Sequence, residues 1–212
     1  MDKFNLILVC PDAALCLAWE KRFKDLPEVT IVHGNFEDVP EYDCMVSAAN
    51  SFGLMDGGVD AAITQYFGEQ LMYRVQQRII DEFLGEQPVG TCMVVETMHP
   101  KHPYLAHAPT MRSPMTIRHT DNAYLAMWAL FLAIYRHNAV RHDIKTILCP
   151  GLGTGTGQVP PMEAARQMAL AYKHYLNPPE TIDWGLAGDR QQAIKYGGDF
   201  GCQIPEDMIL DP

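Results

Sequence analysis

Two kinds of apolar run alternate along the chain. Short runs rich in β-branched residues and bounded by Pro or Gly are typical of strands, whereas apolar positions that recur every three or four residues are typical of helices. Strands that alternate with helices predict a layered α/β fold around a largely parallel sheet. Strands are predicted over residues 4–10, 29–33, 43–49, 89–97, 104–108 and 144–149, and helices over 12–23, 58–67, 71–83, 121–141 and 162–176.

Local signals mark several helix ends and one domain boundary. Asp12 is a good N-cap for the first helix, and Gly85 is a fitting stop for the helix that ends at residue 83. Pro160-Pro161 opens the last helix, where a proline is tolerated. The folded domain is therefore expected to span residues 1–176. The segment 177–212 is rich in Gly, Pro and Asp, and we expect an irregular extension packed on that domain.

Composition and charge narrow the function classes. The chain has 212 residues, with 16 Lys and Arg against 26 Asp and Glu, for a net charge of −10. That charge argues against a protein that coats nucleic acid or an anionic membrane, because both partners need a basic surface. It leaves open a small anionic ligand, which backbone N–H groups can hold without charged side chains.

The sequence also predicts a cytoplasmic protein with no membrane partner. Its longest nearly unbroken apolar run, residues 123–135, is shorter than the roughly 20 residues that a membrane-spanning helix needs. Residues 1–12 do not resemble a secretory signal. The six cysteines show no Cys-x-x-Cys spacing, so we expect reduced thiols rather than disulfides or a compact zinc site.

Two loops at strand-to-helix junctions carry the candidate chemistry. The first, residues 47–60, follows the third strand, and the second, residues 150–160, follows the last strand. In an open α/β sheet, ligands bind beyond the carboxyl ends of the strands, and N–H groups at helix N-termini make an anion cradle. The second loop matches neither a P-loop nor a dinucleotide fingerprint. The alternative for either loop is a flexible connection without a ligand.

The two loops together resemble those of the macrodomain family. The first loop contains Ser47-Ala48-Ala49-Asn50 and, after a glycine pair, continues to Val59-Asp60-Ala61-Ala62-Ile63. The second keeps Pro150, Thr154, Gly155 and Pro160 of the family pattern, and Gly34-Asn35-Phe36 occupies the place of a Gly-Asp-Ile run. The resemblance covers roughly residues 28–176.

The resemblance implies a three-layer α-β-α sandwich with a mostly parallel, mixed sheet, and a pocket for ADP-ribose. Asn35 and Phe36 would recognise adenine, the two loops would hold the two phosphates, and Asn50 would hold the hydroxyls of the distal ribose. The implied ligand-binding residues are Asn35, Phe36, Ala48, Asn50, Gly57, Gly58, Val59, Gly151, Gly153, Thr154, Gly155, Thr156, Gly157 and Gln158.

Hydrolytic members of the family suggest a catalytic role for Asn50 and Asp60. The carboxylate of Asp60 would orient or activate a water for attack on the distal ribose of an ADP-ribosylated acceptor, or of a small ADP-ribose ester such as the acetyl or 1″-phosphate form, with no metal or other cofactor. The competing interpretation of Asp60 is a charge at a helix N-terminus, and that of Asn50 is a turn residue. At the level of the whole protein, the alternatives are a reader that binds ADP-ribose without turnover and a partner-binding protein with a vestigial pocket.

Several positions depart from the family pattern. Asn35 replaces an Asp, Met55 and Asp56 replace two glycines, and Gly157 stands where an aromatic side chain is common. A wider pocket is expected at the Gly157 end. Extended contact with a nucleic-acid backbone is not expected, because of the net charge. Two further features remain open: Arg112 as a substrate contact or a solvent-exposed side chain, and the histidines of segment 99–103, which we interpret as a surface connection rather than metal ligands.

Overall fold

The computed structural model describes residues 4–194 and has a central sheet with helices on both faces. The strands are β1 (Asn5–Cys10), β2 (Val29–His33), β3 (Cys44–Ser47), β4 (Met93–Glu96), β5 (Tyr104–His107) and β6 (Thr146–Cys149). The helices are α1 (Ala13–Phe23), α2 (Gly58–Phe67), α3 (Glu69–Phe83), α4 (Asn122–Asn138), α5 (Pro161–Leu176) and α6 (Trp184–Ile194). Within this range no helix combines the length and apolarity needed to cross a membrane.

The six-stranded sheet has the order β2-β1-β6-β3-β5-β4. Neighbouring strands are parallel except for β4, which pairs with β5 in the antiparallel direction at one edge. The predicted mixed, mostly parallel sheet is confirmed. Because parallel strands run in the same direction, the carboxyl ends of β1, β3, β5 and β6 lie along one edge of the sheet, and the loops that follow them meet there.

Both faces of the sheet are buried, so the predicted three-layer sandwich is confirmed. In β1, Leu6 and Leu8 belong to the core shared with α1, α4 and α5, whereas Ile7 and Val9 belong to the core under α2 and α3. Successive side chains of a strand point to opposite faces, so a strand covered on both sides is apolar throughout. This explains why the strand runs in the sequence are nearly continuous.

Most helix ends agree with their sequence signals. Asp12 accepts a hydrogen bond of 2.9 Å from an N–H in the first turn of α1. After α3 the backbone φ is 55° at Leu84 and 98° at Gly85, so the helix stops where predicted. Helix α4 ends earlier than the predicted residue 141, at Asn138, whose side-chain amide bonds the C=O (2.7 Å) and the N–H (3.1 Å) of Ile144 and turns the chain toward β6.

The prediction of an irregular segment after α5 is wrong for residues 184–194, which form α6. This helix has no buried residue, so its sequence lacks the apolar periodicity that would have revealed it. Polar contacts stabilise it instead. The Asp183 carboxylate accepts a first-turn N–H at 2.8 Å, and Arg166 of α5 donates to carbonyls of the last turn at 2.6 and 3.0 Å. The remainder of the predicted extension, 195–212, lies outside the described residues.

Candidate functional site

A cleft of about 380 Å³ lies where the carboxyl ends of β1, β3, β5 and β6 meet. Both predicted loops line it, together with the turn that follows β2. Asp60 lines the cleft, and so does every predicted binding residue except Gln158. Those lining residues are Asn35, Phe36, Ala48, Asn50, Gly57, Gly58, Val59, Gly151, Gly153, Thr154, Gly155, Thr156 and Gly157.

Gln158 lies in the turn that closes the second loop rather than in the cleft wall. Its N–H bonds the carbonyl of Gly155 at 3.0 Å, and its backbone φ is 55°. The next N–H, of Val159, bonds the carbonyl of Gly153 at 3.0 Å. The second loop is therefore closed on itself from its C-terminal side, and Gln158 stays a prediction that the cleft wall does not include.

The N–H groups of the second loop face a different situation. The backbone N–H groups of residues 151–157 donate no hydrogen bond within the described part of the chain. Gly155 borders open space, because a Cβ built there has no atom within 4 Å. A run of unused N–H donors along a cleft wall is an anion-binding arrangement that needs no charged side chain.

The first loop ends at the N-terminus of α2, which is open in the same way. Gly57 is the N-cap and has no side chain to accept a first-turn N–H, and Gly58 follows with a φ of 55°. A Cβ at either glycine has no neighbour within 4 Å. The first N–H groups of a helix have no partner within the helix, so those of α2 are available to a ligand in the cleft.

Asp60 lies in the first turn of α2 and is only 5% exposed. Its Oδ1 accepts a hydrogen bond of 2.7 Å from the buried hydroxyl of Ser47, at the end of β3. Its Oδ2 has no partner among the described residues. The carboxyl group is therefore oriented by Ser47 rather than engaged in capping the helix backbone.

The protonation of Asp60 is set by its surroundings. Burial raises its pKa from 3.8 to about 6, the hydrogen bond from Ser47 lowers it, and the negative charge of Asp56 raises it. A carboxyl group with this pKa is mostly ionised at pH 7 but is a stronger base than an ordinary aspartate. Such a value at a cleft wall is typical of a general base.

Asn50 lies at the predicted place, but its side chain serves its own loop. The Oδ1 atom accepts the N–H groups of Phe52 (3.0 Å) and Leu54 (3.3 Å), and Nδ2 donates to the carbonyl of Leu54 (2.8 Å). Of the two interpretations of Asn50, the structure matches the turn residue. One Nδ2 hydrogen is left for any other contact, because an amide nitrogen carries two.

At the Gly157 end, the structure explains why no aromatic side chain is present. A Cβ at Gly157 would lie 2.5 Å from the carbonyl oxygen of Gly153 and 2.7 Å from Cγ1 of Ile117. The N–H of Ile117 also bonds the carbonyl of Gly157 at 2.8 Å. Ile117, with Met111 and Val159, forms a small apolar cluster beneath the loop. This end of the cleft is thus supported by the segment between β5 and α4.

The turn after β2 forms the other end of the cleft. Asn35 is exposed, and Phe36 is buried with its ring edge-on to Tyr66 at 5.6 Å between centroids. Cys10 also lines the cleft, and burial raises the pKa of its thiol. A reactive thiolate at neutral pH is therefore not favoured at this position.

Sequence reasoning missed several lining residues. Several of them lie just beyond the carboxyl end of a strand, which is the signal that would have found them. Thr110 and Met111 after β5 are examples, whereas the neighbouring Arg112 points elsewhere and pairs with Glu86 at 2.7 and 2.9 Å. The missed lining residues include Val9, Cys10, Pro11, Gly34, Glu37, Leu54, Ala62, Thr110, Met111 and Pro114.

Histidines outside the cleft have structural partners. His99 and His102 stack on each other at 5.0 Å, and His102 Nδ1 bonds the carbonyl of Tyr42 at 2.9 Å. Next to Ser47 in the sheet, the buried His107 bonds the Gln87 carbonyl oxygen at 2.7 Å, and burial lowers its pKa to about 3. Over residues 4–194, no group of His, Cys, Asp and Glu side chains is arranged to hold a metal ion.

Comparison with known proteins finds a matching family model and several relatives. Residues 46–168, more than half of the chain, match the family model described as Macro domain. An uncharacterized protein of Aquifex aeolicus (strain VF5) is 30% identical over 141 residues, which cover 66% of this chain and 78% of that protein. The macro domain-containing protein TTE0995 of Caldanaerobacter subterraneus is 28% identical over 169 residues, covering 79% of this chain and 93% of that protein.

Solved structures show the same fold at lower identity. A mutant of the Oceanobacillus iheyensis macrodomain, solved with ADPR, is 19% identical and covers 84% of this chain and 80% of its own, with a TM-score of 0.55. The macrodomain of Mycobacterium tuberculosis DarG is 17% identical and covers 66% of this chain and 87% of its own, with a TM-score of 0.51. The matched family model and these relatives, together with the cleft between the two loops, lead to one conclusion: this chain belongs to the macro domain family.

Proposed function

We propose that the cleft binds ADP-ribose and that Asp60 directs a water to the anomeric carbon of the distal ribose, so that an attached acceptor is released. The observation that carries the proposal is the buried Asp60 carboxyl group, held by Ser47 with its second oxygen unpartnered, beside two loops with unused N–H groups. ADPR, the ligand named for the solved Oceanobacillus relative, supports the choice of ligand.

The cleft divides into regions that suit the parts of ADP-ribose. The N–H groups of residues 151–157 and of the first turn of α2 suit the diphosphate, because they offer donors without a counter-charge. Asn35 and Phe36 at the far end suit adenine, with the Asn35 amide as hydrogen-bond partner. The distal ribose is then assigned to the region of Asn50 and Asp60.

The proposed reaction needs only a base and a positioned water. The water oxygen attacks the anomeric carbon while the bond from that carbon to the acceptor atom breaks, and the electron pair leaves with the acceptor. Oδ2 of Asp60 takes the proton that the water loses, and solvent later removes it. Because this base has a pKa of about 6, the rate of hydrolysis is expected to rise through pH 6 and to level off above it.

Asn50 has a smaller part in this scheme than the sequence suggested. Its amide shapes the loop and leaves one Nδ2 hydrogen for a ribose hydroxyl. This engagement favours a second candidate function, a reader that binds ADP-ribose without turnover. The two functions share the ligand and differ only in the fate of the bond at the anomeric carbon.

Two measurements test the proposal. Calorimetry with ADP-ribose is expected to give low-micromolar or tighter binding, and absence of heat at high micromolar ligand would overturn the ligand assignment. Turnover of an ADP-ribosyl-carboxylate ester is expected in the wild type and is expected to be lost in Asp60→Asn, which keeps the Ser47 hydrogen bond. Binding without turnover in the wild type would establish the reader instead.

A further inference from the structure

The side chains that line the cleft carry charge of one sign only. Three residues with carboxyl side chains line it, Glu37, Asp56 and Asp60, and among its described lining residues there is no Lys, Arg or His. A diphosphate in this cleft would therefore be held by backbone N–H groups and neutral side chains, without a cationic side chain. A charged group attached to the distal ribose is then placed near acidic side chains, with no basic side chain among the described lining residues to balance them.

Asp56 is the exposed carboxylate nearest in the chain to Asp60, and its place in the loop is fixed. The preceding residue, Met55, is buried, and its carbonyl accepts the hydroxyl of Thr64 at 2.8 Å. The following residue, Gly57, is the N-cap of α2. The Asp56 side chain is thus attached to a backbone anchored on both sides while remaining in contact with the cleft.

The charge of Asp56 also acts on the proposed base. It is one of the causes that raise the pKa of Asp60, so the two carboxyl groups are within electrostatic reach of each other. Asp60 has an oxygen without a protein partner at the same wall. Under the proposed function, a group bonded to the carbon that the water attacks is assigned to the part of the cleft that Asp56 and Asp60 both line.

We propose, on the basis of the proposed function, that Asp56 selects ADP-ribose derivatives whose acceptor is cationic, of the guanidinium class found in ADP-ribosylated arginine, over derivatives with an anionic group such as ADP-ribose 1″-phosphate. A guanidinium can form charge-assisted hydrogen bonds with the carboxylate of Asp56, whereas a phosphate is repelled by it. A bound cation would also offset the field that opposes ionisation of Asp60, so the correct acceptor would favour the active form of the base.

The chemistry of such a substrate balances without another reactant. Water attacks the anomeric carbon, the carbon–nitrogen bond breaks, and its electron pair stays on nitrogen, which gives a neutral guanidine. Asp60 takes the proton lost by the water and returns it to the guanidine, which leaves as a guanidinium. The products are ADP-ribose and the protonated arginine side chain.

The test is a ratio of affinities. Competition against a fluorescent ADP-ribose derivative, read within seconds of mixing and with EDTA present, gives Kd for ADP-ribosyl-arginine and for ADP-ribose 1″-phosphate before turnover. Using the ratio of the two values cancels the effect of Asp56 on the diphosphate, which both ligands share. Solvent-screened charge pairs contribute roughly two- to five-fold each, so Asp56→Asn is expected to reduce the preference for ADP-ribosyl-arginine about ten-fold.

Glu37→Gln is the matched control, because it removes a carboxylate from the same cleft at the end assigned to adenine. It is expected to leave the ratio within about two-fold of the wild-type value. A wild-type preference for the phosphate, or an unchanged ratio in Asp56→Asn, overturns this proposal but not the proposed function. Failure of the fluorescent ADP-ribose derivative and unlabelled ADP-ribose to bind the wild type overturns the proposed function itself.

Discussion

The two glycine-rich loops that line the cleft use their glycines in different ways. In the second loop, glycines allow close packing: a Cβ at Gly151 or Gly157 would come within 2.5 Å of a neighbouring atom. In the first loop, Gly57 and Gly58 border open space, and only Gly53 is packed, against side chains of α3. The second loop needs glycine for close packing at Gly151 and Gly157, whereas the first loop has glycine at Gly57 where a side chain would fit, and at Gly58 where the positive φ favours glycine.

The chemistry is divided between the loops in the opposite sense. The first loop and the strand before it carry the side chains to which we assign chemical roles, Asn50, Asp56, Asp60 and Ser47, whereas the second loop is proposed to supply backbone N–H groups. Substitutions in the second loop should therefore act mainly through the fold. Substitutions in the first loop should change stability and ligand binding separately.

The largest loss of stability is expected for Gly157→Ala. Its new methyl group would lie 2.5 Å from the Gly153 carbonyl oxygen and 2.7 Å from Cγ1 of Ile117, so backbone as well as side chain must move. Overpacking of this kind costs about 3 kcal/mol of the free energy of unfolding at its upper range. Urea unfolding measures it, and Gly155→Ala, which meets no atom within 4 Å, serves as the control. Equal losses in the two variants would show that the loop is not held by packing at Gly157.

The next largest effect is a gain, in Asp60→Asn at alkaline pH. Burial raises the native pKa of Asp60 from 3.8 to about 6, so the native state keeps a proton that the unfolded chain releases. Wild-type stability therefore falls as the pH rises through this range, and the full cost of the ionised group remains above it. Removing that group should add about 2 kcal/mol to the free energy of unfolding at pH 8, after allowance for water in the cleft.

The pH dependence is the decisive part of the Asp60 experiment. The gain of Asp60→Asn over the wild type is expected to shrink below pH 6 and to vanish near pH 4, where the wild-type carboxyl group is protonated as well. The exposed Asp38, changed to Asn, provides a comparison without burial. A gain that is the same at pH 4 and pH 8 would show that it does not come from ionisation of Asp60.

The parts of this molecule that sequence predicted well are those set by local pattern. Helix positions follow from apolar periodicity, and strand positions follow from short apolar runs, because β1, β3, β5 and β6 are buried on both faces. The two loops follow from their glycines and their place at the carboxyl ends of strands. Helix α6 was missed because the contacts that hold it are not recorded in a local pattern. They are polar, and they are made by Arg166, which belongs to α5.

Within the site, sequence located residues better than it assigned their contacts. It placed Asn50 and Asp60 at the cleft, yet the amide of Asn50 bonds the backbone two and four residues ahead, which depends on the loop conformation. The Ser47 hydroxyl reaches Asp60 only because β3 passes beneath the start of α2. Such side-chain partners depend on the fold, so a motif alone does not reveal them.

A moderate loss of stability is expected for Asn50→Ala. The substitution removes the acceptor for two backbone N–H groups and a donor to the Leu54 carbonyl, in a loop that is only partly buried. The expected cost is about 1 kcal/mol of the free energy of unfolding, together with weaker ADP-ribose binding. Asn50→Asp keeps the acceptor and loses the donor, so it should be intermediate in stability. If Asn50→Ala unfolds like the wild type, the loop is held by other contacts.

The smallest effect on stability is expected for Gly57→Ser, which should make the protein slightly more stable but weaken its binding of ADP-ribose. Gly57 has the extended backbone of an N-cap, with φ −137° and ψ 152°, and open space for a side chain. A serine hydroxyl there can accept a first-turn N–H of α2, which should stabilise the protein by a few tenths of a kcal/mol, about the difference between Gly and Ser at an N-cap. The same hydrogen bond occupies a donor assigned to the diphosphate, so ADP-ribose affinity should fall several-fold. Unfolding and calorimetry on one sample measure both, and a more stable variant with unchanged affinity would show that the ligand does not use the N-terminus of α2.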